Sequence, residues 1–264
     1  DWTFTTLFAL TQRPKRTYSA SGRLSTVVIL SDQFKGTNMP RLALDREIRQ
    51  IQDEILLLGS LVEQAILNAV ESLKTRDVQA AEAVIRDDRY INDKRFAIEN
   101  RILILFATQS PMAHDLRLLA ADLEVITELE RIGDYAKGIA KVAMQVANDE
   151  IPIPIREITM MADMAVSMLH RALGAFIAED VSVARSLPEE DDQVDELYNL
   201  VYRKIVQNMI ANPEVIDLSN QVFWVIHNLE RTADRVTNIC ERILFIATGE
   251  LVEMDTTDDE LEEG

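Results

Sequence analysis

The 264-residue sequence has one cysteine, three histidines, eight glycines and seven prolines, and only 6% of its residues are aromatic. A lone thiol, Cys240, cannot close an intramolecular disulfide, and paired-cysteine metal or redox motifs are excluded with it. No glycine-rich phosphate loop and no Gly-x-Ser-x-Gly elbow occurs, so the common nucleotide-binding and hydrolase signatures are missing too. Basic residues are scarce: 27 Lys and Arg face 45 Asp and Glu, a net charge of −18. A partner recognised through its phosphate backbone needs a basic footprint, so nucleic acid is excluded as the expected partner. Cations, metals and basic protein surfaces suit that charge. No uninterrupted apolar run reaches the roughly 18 residues expected of a membrane-spanning helix, and the expectation is a soluble, intracellular chain.

What is present is unevenly distributed. Residues 1–40 carry Arg13, Lys15, Arg16, Arg23 and Lys35 against Asp1 and Asp32, a net of +3 that leaves −21 on the remainder. This leader has no sustained helical or strand period. It does not read as a secretory signal, because its basic cluster follows the short apolar stretch rather than preceding it. Met39 stands directly before the first helical pattern, and the leader is set apart from the fold. At the other end, residues 250–264 contain eight acids and no base, the composition of a solvated, disordered tail.

Between these ends apolar residues recur at three- and four-residue steps. Ile48, Ile51, Ile55, Leu58, Val62, Ile66, Val70 and Leu73 form one stripe, which predicts a helix of about eight turns. A second helix is expected over 78–107. A third is expected after Ser110 as N-cap and Pro111 at the first helical position, with Leu116, Leu119, Leu123, Ile126, Leu129, Ala136 and Ile139 inward. The run NDEIPIP, residues 148–154, stops that helix and marks a linker. Helices are expected again over 155–179, 189–211 after Pro188, and 213–248.

The two halves repeat each other. Pro111 with Asp115 and Leu116 recurs as Pro213 with Asp217 and Leu218, and ELERIGDYAKGIAK (128–141) recurs as NLERTADRVTNICER (228–242). DRYIN (88–92) recurs as DQVD (192–195). The fold class expected is therefore all-α, two tandem antiparallel three-helix bundles over 41–147 and 155–249.

Carboxylates recur with the repeat. Glu130 and Asp134 lie four apart on the third helix, as Glu230 and Asp234 do on the last, so each pair shares a helix face. The second helix of each half adds Asp88 with Asn92, and Asp191 with Asp195. Facing turns would bring about four oxygen-bearing side chains to one spot per bundle, a donor set suited to Mg, Mn, Ca or iron. The ordinary alternative is a solvated acidic face, since like charges at this spacing cost only about 0.2–0.5 kcal/mol. Arg131 and Arg231, three residues before Asp134 and Asp234, offer intrahelical ion pairs for that alternative. A ferritin-type di-metal enzyme is the enzymatic reading, but it requires Glu-x-x-His, and neither His114, His170 nor His227 has a Glu three residues before it. His227 precedes Glu230 by one turn and could join its cluster; an interhelical hydrogen bond is the ordinary role. Cys240 and Trp224 read as packing residues.

LLLGSLVEQAI, VIRDDRYIN, QSPMAHDLR, ELERIGDYAKGIAK and NLERTADRVTNICERI, in this order, closely resemble the PhoU family of phosphate-signalling regulators over about residues 41–250. The resemblance implies a non-enzymatic negative regulator of phosphate uptake and of the phosphate-starvation response. Its implied partners are the ATPase of the phosphate ABC transporter (PstB type), a PhoR-type sensor histidine kinase and a second copy of the chain. The implied place is the cytoplasm, at the inner membrane face through those partners. The family's Glu/Asp-x-x-x-Asp motif, associated with bound divalent or iron cations (Mg, Mn, Fe or Zn), falls on Glu130, Asp134, Glu230, Asp234, Asp191 and Asp195, with Asp88 and Asn92 at the matching place in the first half. Asn92 is neutral where the family has an anionic ligand, and two departures bear on the metal: Thr232 and Ala233 replace Ile132 and Gly133, which is expected to alter close helix approach, and Gly138 stands where the second copy has Asn238 as a further polar ligand. The second site is expected to be the stronger. A metal-storing or metal-dependent carboxylate bundle is the alternative.

Overall fold

The computed structural model describes residues 38–149 and 152–254; the leader, Glu150 and Ile151 of the linker, and the acidic tail from 255 lie outside the described residues. Among the described residues every regular element is helical. The first half consists of α1 (Asn38–Thr75), α2 (Val78–Gln109) and α3 (His114–Val146). The second consists of α4 (Ile155–Ala178), a short α5 (Val181–Ser186), α6 (Pro188–Ala211) and α7 (Ile216–Thr248), the last preceded by one turn of 3-10 helix over Pro213–Val215.

The α1 stripe of eight apolar residues is buried throughout, so the helical period was read on the correct face. An 18-residue window of α1 also reaches a mean hydropathy of 1.3, making it long and apolar enough to cross a membrane by composition. No uninterrupted apolar run underlies it: charges interleave the stripe, whose apolar side faces the bundle core.

Direction along each bundle follows from its ion pairs. Arg101, late in α2, reaches Glu47 at 2.8 Å and Glu54 at 2.6 Å, early in α1, so α1 and α2 run antiparallel. Arg41 and Arg76, at opposite ends of α1, meet Asp115 and the Asp149 carbonyl at opposite ends of α3, so α1 and α3 run in the same direction. In the second half Lys204 of α6 meets Glu157 of α4 at 2.7 Å, the same up-down-up plan.

The repeat extends to the turns. Arg76 and Glu179 both take the left-handed backbone conformation at the end of a helix. The next residue is in each case an N-cap aspartate: Asp77 accepts from the Ala80 amide, and Asp180 from those of Ser182 and Val183. From there the halves diverge. Proline has no N–H and clashes with the carbonyl four residues back, so Pro188 breaks into α5 and α6 what is one continuous helix in the first half. The expected second-half helix lacked α5 for this reason.

Two further expectations are corrected. Ser110 is not an N-cap but closes α2 in the left-handed conformation, and α3 begins only at His114, without a side-chain cap. Leu116, expected inward, is 46% exposed, because Asp115 takes the inward place and accepts a two-pronged bond from Arg41.

The bundles meet along two seams. In the first, α3 and α7 run antiparallel: Glu124 pairs with Arg242 at 2.6 Å, Asn238 donates to Glu128, Arg231 donates to the Tyr135 hydroxyl, and Asn228 packs on Gly138. One step forward along α3 is one step back along α7, as two copies related by a two-fold rotation require. In the second, α1 meets α4. A Cβ on Gly59 would collide with Leu173 Cδ1, and His170 stands 3.3 Å from Glu63.

Candidate functional site

Each half places its carboxylates between its second and third long helices, and the two clusters are built differently. In the first, Asp88 of α2 is only 5% exposed, and its Oδ2 accepts from Lys137 Nζ of α3 at 2.6 Å and from Asn92 Nδ2 at 3.2 Å. The same ammonium lies 3.5 Å from Asp134 Oδ1. Lys137 therefore ties a carboxylate of one helix to a carboxylate of the next. Glu130 completes the set, its pKa raised by burial and then by Asp134. Arg95 stands near enough to Glu130 to act against that rise, and it is itself paired with Glu99 at 2.8 Å.

In the second cluster the residue at the Lys137 place is Thr237. Its hydroxyl donates to Asp191 Oδ2 at 3.3 Å, while Asp191 Oδ1 has no hydrogen-bond partner although the residue is 3% exposed. Glu230 Oε2 is likewise buried without a hydrogen bond; His227 Nδ1 lies 3.3 Å away but is not aligned to donate. Burial, then the neighbouring Asp234 and Asp195, push both Asp191 and Glu230 up to about 7. Burial and the Arg231 charge lower the His227 pKa, so the ring is neutral near pH 7 and brings no positive charge. The Pro188 break also places Asp191 in the first turn of α6, where the helix dipole favours a carboxylate.

The sequence pairs are thus brought together within each half, Asp88, Asn92, Glu130 and Asp134 in one and Asp191, Asp195, Glu230 and Asp234 in the other. Among the described residues no three Asp, Glu, His or Cys donors already stand as a bound ion would need them. The second-half donor set nonetheless fits a hard cation: all oxygen, closely spaced, with two buried oxygens lacking a donor. His227 turns out to approach Glu230 on its own helix rather than to bond across helices. Arg131 pairs with Glu128 of its own helix at 2.6 Å, and Arg231 donates to Tyr135 across the seam while its charge still acts on Glu230 and Asp234. Asn238 also reaches across the seam, donating to Glu128, and is not aimed at the carboxylates. Ile91 packs on Gly133; at the matching places of the repeat the second half has the larger Ala233 and the smaller Val194, both fully buried.

Three features escaped the sequence reading. Lys137 and Thr237 stand at matching places of the repeat, so aligning the copies against each other would have exposed the exchange. Trp224, expected to pack, is 59% exposed. It forms, with Tyr198, Tyr202, Asn220, Phe223 and His227, a shallow pocket of about 450 Å³ beside the second cluster. Cys240 is buried as expected, its thiol pushed up to about 12 by burial and so unreactive.

Two copies of a three-helix unit, each with carboxylates gathered between its second and third long helices, define a tandem helical-repeat scaffold. The chain belongs to the PhoU family, whose PhoU domain matches residues 44–143 and 158–243. A phosphate-specific transport system accessory protein PhoU homolog of Clostridium acetobutylicum is 31% identical over 218 residues, covering 82% of this chain and all of its own. The homolog of Streptococcus pneumoniae is 33% identical over 215 residues, again along its whole length. The crystal structure of the phosphate transport system regulatory protein PhoU from Streptococcus pneumoniae superposes with a TM-score of 0.75 over 80% of this chain at 33% identity. That of PhoU from Pseudomonas aeruginosa gives 0.74 over 78% at 29%.

Proposed function

We propose that the chain is a non-enzymatic accessory protein of phosphate-specific transport that represses uptake and the phosphate-starvation response when phosphate is plentiful. Full-length identity of 31 and 33% to two proteins named as accessory proteins of that system carries this reading. In it the chain acts as an adaptor, docking on the ATPase of the phosphate transporter and on a PhoR-type sensor kinase, and holding the kinase in its phosphatase-favouring state. It works as a homodimer at the cytoplasmic side of the membrane.

A divalent or iron cation belongs to the same reading. Asp191 and Asp195 from α6 and Glu230 and Asp234 from α7 would hold it, and it would add positive charge where these four carboxylates crowd. Meanwhile Thr237 orients Asp191 through its hydroxyl, and the α6 N-terminus favours the ionised carboxylate.

Deleting the gene should leave a phosphate-starvation reporter such as alkaline phosphatase active in high phosphate, and a tagged chain should co-purify the transporter ATPase or the kinase. A reporter that stays repressed after deletion would favour a metal-storing bundle instead. Alanine at Glu130, Asp134, Glu230 and Asp234 together should remove bound metal and leave helicity intact. Equal metal content in wild type and that variant would refute the cation.

A further inference from the structure

We propose that Lys137 is the built-in cation of the first cluster, and that the chain takes an exogenous divalent cation only in the second, where Thr237 replaces the lysine. The proposal rests on the reading that these carboxylate clusters bind cations.

The geometry is that of a substitution of one charge for another. A cation between α2 and α3 would have to bridge a carboxylate from each helix, and Lys137 Nζ already does so, at 2.6 Å from Asp88 and 3.5 Å from Asp134. Asn92 supplies one more donor to the same Asp88 oxygen and, being neutral, adds no charge for a metal to balance. The first cluster thus holds three carboxylates, Asp88, Glu130 and Asp134, with an ammonium among them. The second holds four, Asp191, Asp195, Glu230 and Asp234, with no lysine at the matching place; the Arg231 charge acts on Glu230 and Asp234, but its guanidinium is bonded to Tyr135. Its buried Asp191 Oδ1 and Glu230 Oε2 accept no hydrogen bond.

Ammonium and metal compete for the same oxygens. A divalent ion entering the first cluster would lie within a few ångströms of Nζ, and like charges that close repel strongly at the effective dielectric of a protein surface. Expelling Lys137 instead would forfeit its bond to a nearly buried aspartate. Thr237 imposes neither obstacle, since it is neutral and shorter by several atoms.

The test exchanges the two residues in the full-length chain and titrates chelator-stripped protein with Mn2+ by calorimetry, with thermal melting recorded at each Mn2+ concentration. Wild type should take up Mn2+ in the second half only, so that Asp191→Asn with Glu230→Gln abolishes binding. Lys137→Thr should add a binding event that survives those two substitutions, and added Mn2+ should restore the melting temperature the variant loses. Thr237→Lys, which leaves no carboxylate bare and should fold normally, should weaken Mn2+ binding on the order of 100-fold. If Lys137→Thr gains no binding event and Thr237→Lys binds as wild type does, the lysine has no such role, although the cation reading stands. Lack of Mn2+ binding by wild type and by both single-site variants would overturn that reading and the proposal together.

Discussion

The two carboxylate clusters began as copies and have arrived at opposite solutions to one electrostatic problem. Packing acidic side chains between two helices costs solvation, and something positive must offset it. The first half carries its positive charge on the chain, as Lys137, and surrounds the site with the ion pair of Arg95 and Glu99. The second half has Thr237, Tyr198 and Tyr202 at the corresponding places and leaves Asp191 and Glu230 with pKa values near 7. A site of the first kind is self-sufficient. The second leaves Asp191 Oδ1 and Glu230 Oε2 without a hydrogen-bond donor, and the proposed cation rests on that difference.

The largest effect expected of a single change that tests this contrast is at Lys137. Replacing it with Met should strip the counter-charge from Asp88 and destabilise the fold by about 3 kcal/mol, the low end for a broken buried pair because the lysine is 28% exposed. That corresponds to a fall of roughly 6–12 °C in melting temperature. At the matching position Thr237→Val should cost only about 1 kcal/mol, one hydrogen bond. Equal losses at the two positions would erase the distinction between the halves.

Next in size is a second difference, deeper in the core. Asp122 of α3 is fully buried with neither carboxylate oxygen hydrogen-bonded, and burial alone pushes its pKa up to about 8; the second half has Val222 there. Folding therefore holds a proton that the unfolded chain releases above its ordinary value of 3.8, and this residue's contribution to stability falls as pH rises from about 4 through 8. Asp122→Val should raise stability by about 2 kcal/mol at pH 7 and flatten that decline in a melting series run in chelator. A pH profile unchanged by the substitution would show that Asp122 has a charged partner.

A smaller effect is expected where the two halves traded volume. Gly133→Ala gains helix propensity but sets a Cβ 3.3 Å from two Ile91 atoms, so alone it should change stability little. Combined with Ile91→Val, which reproduces the second-half pair, it should become favourable, with a coupling of about 1 kcal/mol in a double-mutant cycle. Additive single effects would mean the pair is not in register. The least effect is expected of Trp224→Ala, within about 0.5 kcal/mol, because the indole is mostly in solvent.

How far the sequence foretold this follows from what kind of force fixes each feature. The α1 stripe and the acidic pairs were legible because both are matters of backbone period, which a chain of helix-forming residues expresses without help from elsewhere. The repeat was legible for the same reason. Direction of side chains was less so: Asn238 and Arg231 lie one helical turn from the cluster residues in sequence, yet both turn to the opposing bundle, a choice made by a surface the single helix does not contain. Leu116 lost its inward place to Asp115 because Arg41 reaches it from another helix. Pro188 did announce a break, but Val181–Ser186 ahead of it still form a short helix held by Asp180 and the buried Ala184.

The double seam between the bundles has a mechanical consequence. A single line of contact is a hinge, free to open like a book. Here α3 lies on α7 while α1 lies on α4, and at the second line the absent side chain of Gly59 lets Leu173 seat against the α1 backbone. Folding the halves about either line must pry the other apart, so the pair behaves as a lap joint with two rows of fasteners. A load applied to one bundle is carried to the other as displacement of a stiff beam, with the separation between the clusters preserved.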